Sequence, residues 1–137
     1  MRYWLMKSEP QAYSWSKLVA DGRGNWDGVR NHQAKNNLMA TKPGDRAFFY
    51  HSSEGLEIVG VMEIIGEYRP DPTDPTGKWG MVEVRPLHPV KRPVPLAAIR
   101  AEKRLKDLAL VRHTRLSVMP VAAEEWRILS EMAGVRP

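Results

Sequence analysis

The spacing of hydrophobic and polar residues changes period several times along the chain, and each change marks an element. Tyr3-Trp4-Leu5-Met6-Lys7 is a short apolar run closed by a lysine and reads as a first strand over 3–7. Tyr13-Ser14 then opens a short helix. Ser14 or Ser16 can accept from its first free amides, and Gly22 can end it in the left-handed conformation. Gly24-Asn25-Trp26-Asp27-Gly28-Val29 has two glycines and reads as a loop. Residues 31–40 read as a helix that ends before Pro43-Gly44.

The middle of the chain changes to strand periods. Residues 46–51 carry Phe48, Phe49 and Tyr50, and 57–65 are rich in Val and Ile. The short Ser53-Glu54-Gly55 link makes these two a hairpin. Residues 70–77 hold three prolines and read as an extended loop. Over 81–87, Met81, Glu83 and Arg85 alternate with Val82, Val84 and Pro86, a strand with one buried face. Residues 95–102 read as a short helix with Pro95 near its first turn, and 106–111 as another. Leu116 to Val118 is a short apolar stretch. Residues 122–133 form the most strongly patterned helix, with Trp126, Leu129 and Ala133 on one stripe and Gly134 as its stop. The sum is an α+β fold of about five or six strands with short helices outside. No internal repeat or low-complexity tract breaks the chain. Its proline-rich stretches lie between apolar segments that need one another for burial, so 1–137 reads as a single domain.

Composition adds little to the fold but narrows the chemistry. The 137 residues, 42% hydrophobic and 27% charged, are enough for a core without covalent staples. The absence of cysteine excludes disulfides and thiolate metal sites and fits a cytoplasmic setting. His32, His51, His88 and His113 lack metal-ligand spacing, so neither a zinc nor any other cofactor is expected. No apolar run reaches the roughly 18 residues of a membrane span, and Lys7 interrupts the N-terminus too early for a secretory segment. A net charge of +5 suits a polyanionic partner without identifying one.

Phosphate-binding glycine loops, nucleophile elbows and zinc-protease motifs are absent. Lys7-Ser8-Glu9-Pro10 sits where the first strand ends, and its donors and acceptors could read the edge of a base; it could also be a plain strand exit. Trp26-Asp27-Gly28-Val29-Arg30-Asn31 is the strongest local signal. Trp26 offers a flat face for stacking, Gly28 allows close backbone approach, and Arg30 is a forked donor. The alternative is that Trp26 plugs the core, Asn31 caps the next helix and Arg30 pairs with an internal carboxylate. Tyr50, His51 and Ser52 close a strand, and Trp79 could add an aromatic wall or join the core. Arg104, Lys106, Arg112 and Arg115 make a basic stretch that could meet phosphates.

Taken together the motifs resemble the EVE domain family, which includes the thymocyte nuclear protein type and many small bacterial stand-alone proteins. The matching segments are Tyr3 to Pro10, Trp26 to Asn31, Gly44-Asp45 through Tyr50-His51-Ser52, Ile58-Val59-Gly60-Val61 and Arg115-Leu116-Ser117-Val118, in the family's order over nearly the whole chain. The chain departs at His32, where tyrosine is frequent, at Lys35, where arginine is frequent, and at Met119, where glutamine is frequent. The resemblance implies a PUA-like, curved and partly closed β-barrel related to YTH domains. It implies that a modified base in DNA or RNA, such as a modified cytosine, is flipped into an aromatic and polar pocket without catalysis. Lys7, Ser8 and Glu9 would edge that pocket. Trp26, Gly28, Val29, Arg30 and Asn31 would form a wall; Tyr50, His51, Ser52 and Trp79 would line other sides, with Arg115 and Ser117 at the mouth or floor. Lys35, Arg112 and Arg115 would contact phosphates. The alternative is an amidohydrolase of the related ASCH type, acting on an acylated nucleoside through Lys7 and Glu9. No membrane and no obligatory protein partner is implied.

Overall fold

A computed structural model describes all residues, Met1–Pro137. The elements run β1 (Tyr3–Ser8), α1 (Trp15–Asp21), β2 (Gly24–Trp26), α2 (His32–Ala40), β3 (Arg46–His51), β4 (Glu57–Ile64) and β5 (Arg69–Pro70). They continue with β6 (Gly80–Pro95), α3 (Leu96–Ala101), a 3-10 turn (Lys103–Leu105), α4 (Ala109–Arg112), β7 (Val118–Val121) and α5 (Ala123–Ala133). One sheet runs in the order β2-β6-β4-β3-β1-β7, with the two-residue β5 added on β6. It curls into the half-barrel of an α+β, PUA-like fold. The β1–β3 pair is parallel and every other pair is antiparallel.

β3 lies at the centre of the packing, and neighbouring residues on it point to opposite faces. Phe48 stacks on Trp126 of α5 at 4.0 Å, and Tyr3 stacks on that indole at 4.5 Å. Phe49 meets Trp26 and Trp15 edge-on at 5.2 and 5.6 Å. Both faces of β3 are therefore covered, and its apolar run is continuous instead of alternating. Gly60, on β4, leaves room for the Trp15 ring: a Cβ built there would lie 2.5 Å from it. At the start of β3 the buried Asp45 accepts from the Trp4 indole at 2.9 Å and from the Arg2 and Lys42 amides at 3.0 Å. Burial alone would raise its pKa, but these donors outweigh it and hold the carboxyl below the usual range.

Several local expectations hold in detail. The Ser14 side chain caps α1 by accepting from the Lys17 amide, and Gly22 closes the helix at φ 77°. Asn31 caps α2 by accepting from the Ala34 amide at 2.9 Å. Three expectations are corrected. The segment 24–29 is not all loop: Gly24–Trp26 pair with Val82–Val84 as β2. The strand expected over 81–87 runs from Gly80 to Pro95, bending at register shifts against β4. Of the helix expected over 106–111, only the last turn forms, as α4 from Ala109, while 106–108 are turn and irregular backbone after the 3-10 turn. The apolar stretch at 116–118 leads into β7.

Candidate nucleic-acid interface

Where β1, β2 and β3 end, their exits and the 113–117 loop enclose an open cleft of about 400 Å³. That lies toward the lower end of the roughly 300–1,000 Å³ common for small-ligand sites. Lys7 comes from β1 and Glu9 from the turn after it. Trp26 ends β2, and Asp27, Gly28 and Val29 follow it. Ser52 and Ser53 leave β3, while Thr114, Arg115 and Ser117 close the far side. Trp26 and Val29, each 5% exposed, belong to the hydrophobic core and give the cleft its apolar floor. Trp26 is thus not a free loop indole. It is held by Phe49 and offers the cleft only the surface that the core leaves uncovered.

The rim carries mixed charge. Lys7 Nζ donates to the Thr114 carbonyl at 2.9 Å, tying the end of β1 to the opposite wall. Burial holds this ammonium below the usual lysine range. The Asp27 carboxyl is pushed up by burial and then by the nearby Asp71 charge, with its own backbone and Arg30 opposing. Gly28 adopts φ 76°, a conformation that favours glycine, and its amide donates to Asp71 at 2.9 Å.

Asp71, 1% exposed, organises this wall from outside the cleft. Besides Gly28 it accepts from Arg30 at 3.0 Å and from the Thr73 amide and hydroxyl at 2.7 and 2.6 Å. Burial would raise its pKa, but those donors bring it down to about 2. Sequence reasoning missed Asp71, since nothing local couples a residue in a proline-rich loop to a glycine far upstream. It also gave no role to Asp27, Ser53 or Thr114, although Asp27 stands inside the Trp26 to Asn31 motif.

Not every expected pocket residue faces the cleft. Ser8 donates to the Tyr13 carbonyl at 2.6 Å and braces the turn instead. Arg30 is drawn away to Asp71 and Thr73. Asn31 uses its carbonyl oxygen as the α2 cap. Tyr50 is buried, 2% exposed, with the Lys7 ammonium 5.9 Å from its ring centre. His51 accepts from the Trp15 amide at 3.1 Å, which requires a lone pair on Nε2, and burial lowers its pKa accordingly. Trp79 stands outside the cleft and the core, half-buried beside the His32 ring. Lys78, Lys35 and Arg30 lie 5.1, 5.7 and 6.0 Å from its ring centre. Lys35 is thus placed with Trp79, Arg112 pairs with Asp107 at 2.8 Å, and Arg115 is exposed on the cleft wall. No cluster of three or more metal-ligating acids or histidines occurs, and no helix is long and apolar enough to cross a membrane.

The EVE domain model matches residues 2–132. Mouse thymocyte nuclear protein 1 is 36% identical, over 98% of this chain and 75% of its own length. A Rhodopseudomonas palustris protein solved by NMR is 54% identical with a TM-score of 0.91, covering 98% of this chain and 94% of its own. Human THYN1, solved in complex with DNA containing 5-methylcytosine, is 34% identical with a TM-score of 0.92 over 100% of both chains. A YTH domain from Zygosaccharomyces rouxii, at 18% identity and a TM-score of 0.62 over 99% of this chain and 88% of its own, shares the fold.

Proposed function

The chain belongs to the EVE domain family, and on that premise we propose that it captures a single modified base from DNA or RNA, without transforming it. The observation that carries this reading is the cleft itself: an indole floor at Trp26, hydrogen-bonding groups around the rim, and an opening to solvent. The human relative bound to DNA with 5-methylcytosine supports a modified pyrimidine as ligand. The base leaves its stack, which costs a few kcal/mol, and enters the cleft against Trp26 and Val29. Asp27, Ser52 and Ser117 then read its polar edge. Arg115, and the Lys35 and Lys78 ammoniums around Trp79, face the negatively charged backbone.

A methyl group buried in the cleft adds about 0.8 kcal/mol, near fourfold in affinity. Titration of single-stranded oligonucleotides with cytosine or 5-methylcytosine at one position tests this. The methylated strand binds severalfold tighter, and Trp26→Phe, which keeps an aromatic ring in the core, narrows the difference. Equal affinity for both strands, with no change at the Trp26 indole resonance, refutes the reading.

One observation favours a second reading. Lys7, with its pKa lowered by burial, shares the cleft with Glu9, and the two could serve as base and acid toward the acyl group of an acylated nucleoside. Against it, the Lys7 ammonium is already engaged by the Thr114 carbonyl. Release of acetate from N4-acetylcytidine, lost in Lys7→Ala, would establish this activity in place of simple capture.

A further inference from the structure

Beside the cleft runs a larger groove, about 710 Å³, between α2 and the segment from α4 to Leu116. The two cavities share a wall, since Thr114 and Arg115 line both. We propose that this groove holds the nucleotide adjacent to the captured one, and that Arg115 binds the phosphodiester joining them. The proposal rests on the base-capture reading and extends it from one nucleotide to two.

Charge supports this assignment. The ionisable residues lining the groove are Arg112, His113 and Arg115, and no carboxylate lines it. Arg112 is paired with Asp107, whereas Arg115 is exposed and makes no ion pair. An unpaired guanidinium on the ridge between two cavities suits a phosphate that must cross that ridge. The ridge is held in place, because Lys7 Nζ donates to the Thr114 carbonyl beneath it.

The opposite wall is suited to a base edge. Asn37 Nδ2 donates to the Val118 carbonyl at 2.7 Å, and Gln33 Nε2 donates to Asn37 Oδ1 at 3.3 Å. This fixes both amides and leaves Gln33 Oε1 free to accept. Asn31 spends its oxygen on the helix cap and keeps Nδ2 as a donor. An acceptor and a donor lining the same groove can read a base edge, so the groove makes binding depend on the neighbouring nucleotide and on strand direction.

The test compares 5-methyl-2′-deoxycytidine with its two thymidine dinucleotides, one with thymidine on the 5′ side and one with it on the 3′ side. Binding is followed by NMR of the Trp26 indole and the Gln33 and Asn37 amides. One dinucleotide binds about tenfold tighter than the nucleoside, as an added charge-assisted contact allows. The other gains little. A Gln33→Ala, His113→Ala double variant, both positions exposed, abolishes the preference between the two dinucleotides, leaves only the gain that the Arg115 phosphate contact gives to either, and keeps the nucleoside affinity. Equal gains for both dinucleotides in the parent, or a preference between them that survives in the double variant, overturn the second subsite. Nucleoside binding without any dinucleotide gain overturns this inference alone. A nucleoside that leaves the Trp26 indole unmoved overturns base capture and the subsite together.

Discussion

Replacing Asp71 by asparagine tests how the cleft wall is braced. Asp71 is buried and accepts from the Gly28 amide, the Arg30 guanidinium and both Thr73 donors. Its carboxyl is brought from the ordinary 3.8 to about 2, and at about 1.4 kcal/mol for each pH unit the native state gains roughly 2 kcal/mol from the charge. A depressed carboxylate stabilises fully above its unfolded pKa, and the contribution disappears as pH falls through the folded one. The full effect is therefore present at pH 7, roughly half remains at pH 3, and little survives below pH 2. The introduced amide would carry no charge and would turn an NH₂ toward groups that are themselves donors, so Asp71→Asn costs about 2–3 kcal/mol at pH 7. For a domain of this size that lowers the melting temperature by roughly 6–10 °C. Urea denaturation of both proteins at pH 7 and pH 3 measures the difference, which shrinks by about 1 kcal/mol at the lower pH. Removal of the Asp71 charge also lets the Asp27 pKa fall, visible in an NMR titration of its side chain. A variant within about 0.5 kcal/mol of the parent at pH 7, or an identical difference at both pH values, refutes the argument.

Three further outcomes follow. Gly60→Ala forces a methyl group to within 2.5 Å of the Trp15 ring and lowers stability by about 1–3 kcal/mol, read from the shift in the urea midpoint. Ser130→Ala removes a fully buried hydroxyl that has no hydrogen-bond partner, so stability stays level or rises by up to about 1 kcal/mol in the same assay. Oligonucleotide affinity falls with salt, and Arg115→Gln flattens the log–log slope by about 0.7, the value for one phosphate contact on a single strand.

The parts of the fold that show in the sequence are those fixed by neighbours in the chain. Ser14, Gly22 and Asn31 announce helix ends because capping needs only a side-chain oxygen or a permissive backbone within one turn. β3 shows through its apolar run. β2 does not, because Gly24, Asn25 and Trp26 have no period of their own and become a strand only by pairing with Val82–Val84. The strand read over 81–87 in fact continues to Pro95. At the site, the order of motifs identifies the segments that converge, and eight of the expected pocket residues line the cleft: Lys7, Glu9, Trp26, Gly28, Val29, Ser52, Arg115 and Ser117. Orientation is what the motifs leave unsaid. Ser8, Arg30 and His51 lie within the right segments, yet their polar atoms are spent on Tyr13, Asp71 and Trp15.

The long β6 strand has a consequence for how the molecule behaves among copies of itself. β2 and β5 flank only residues 80–84 of one side, and from Arg85 to Pro95 that side meets no strand. An edge of this length without a strand partner invites a stranger's backbone to dock and a ladder of molecules to grow, even though Arg92 already donates to the Glu131 carbonyl of α5. Pro86, Pro89, Pro93 and Pro95 have no amide hydrogen to extend, and Lys91 and Arg92 add like charge. This edge is thus poorly suited to zipping up with a second chain.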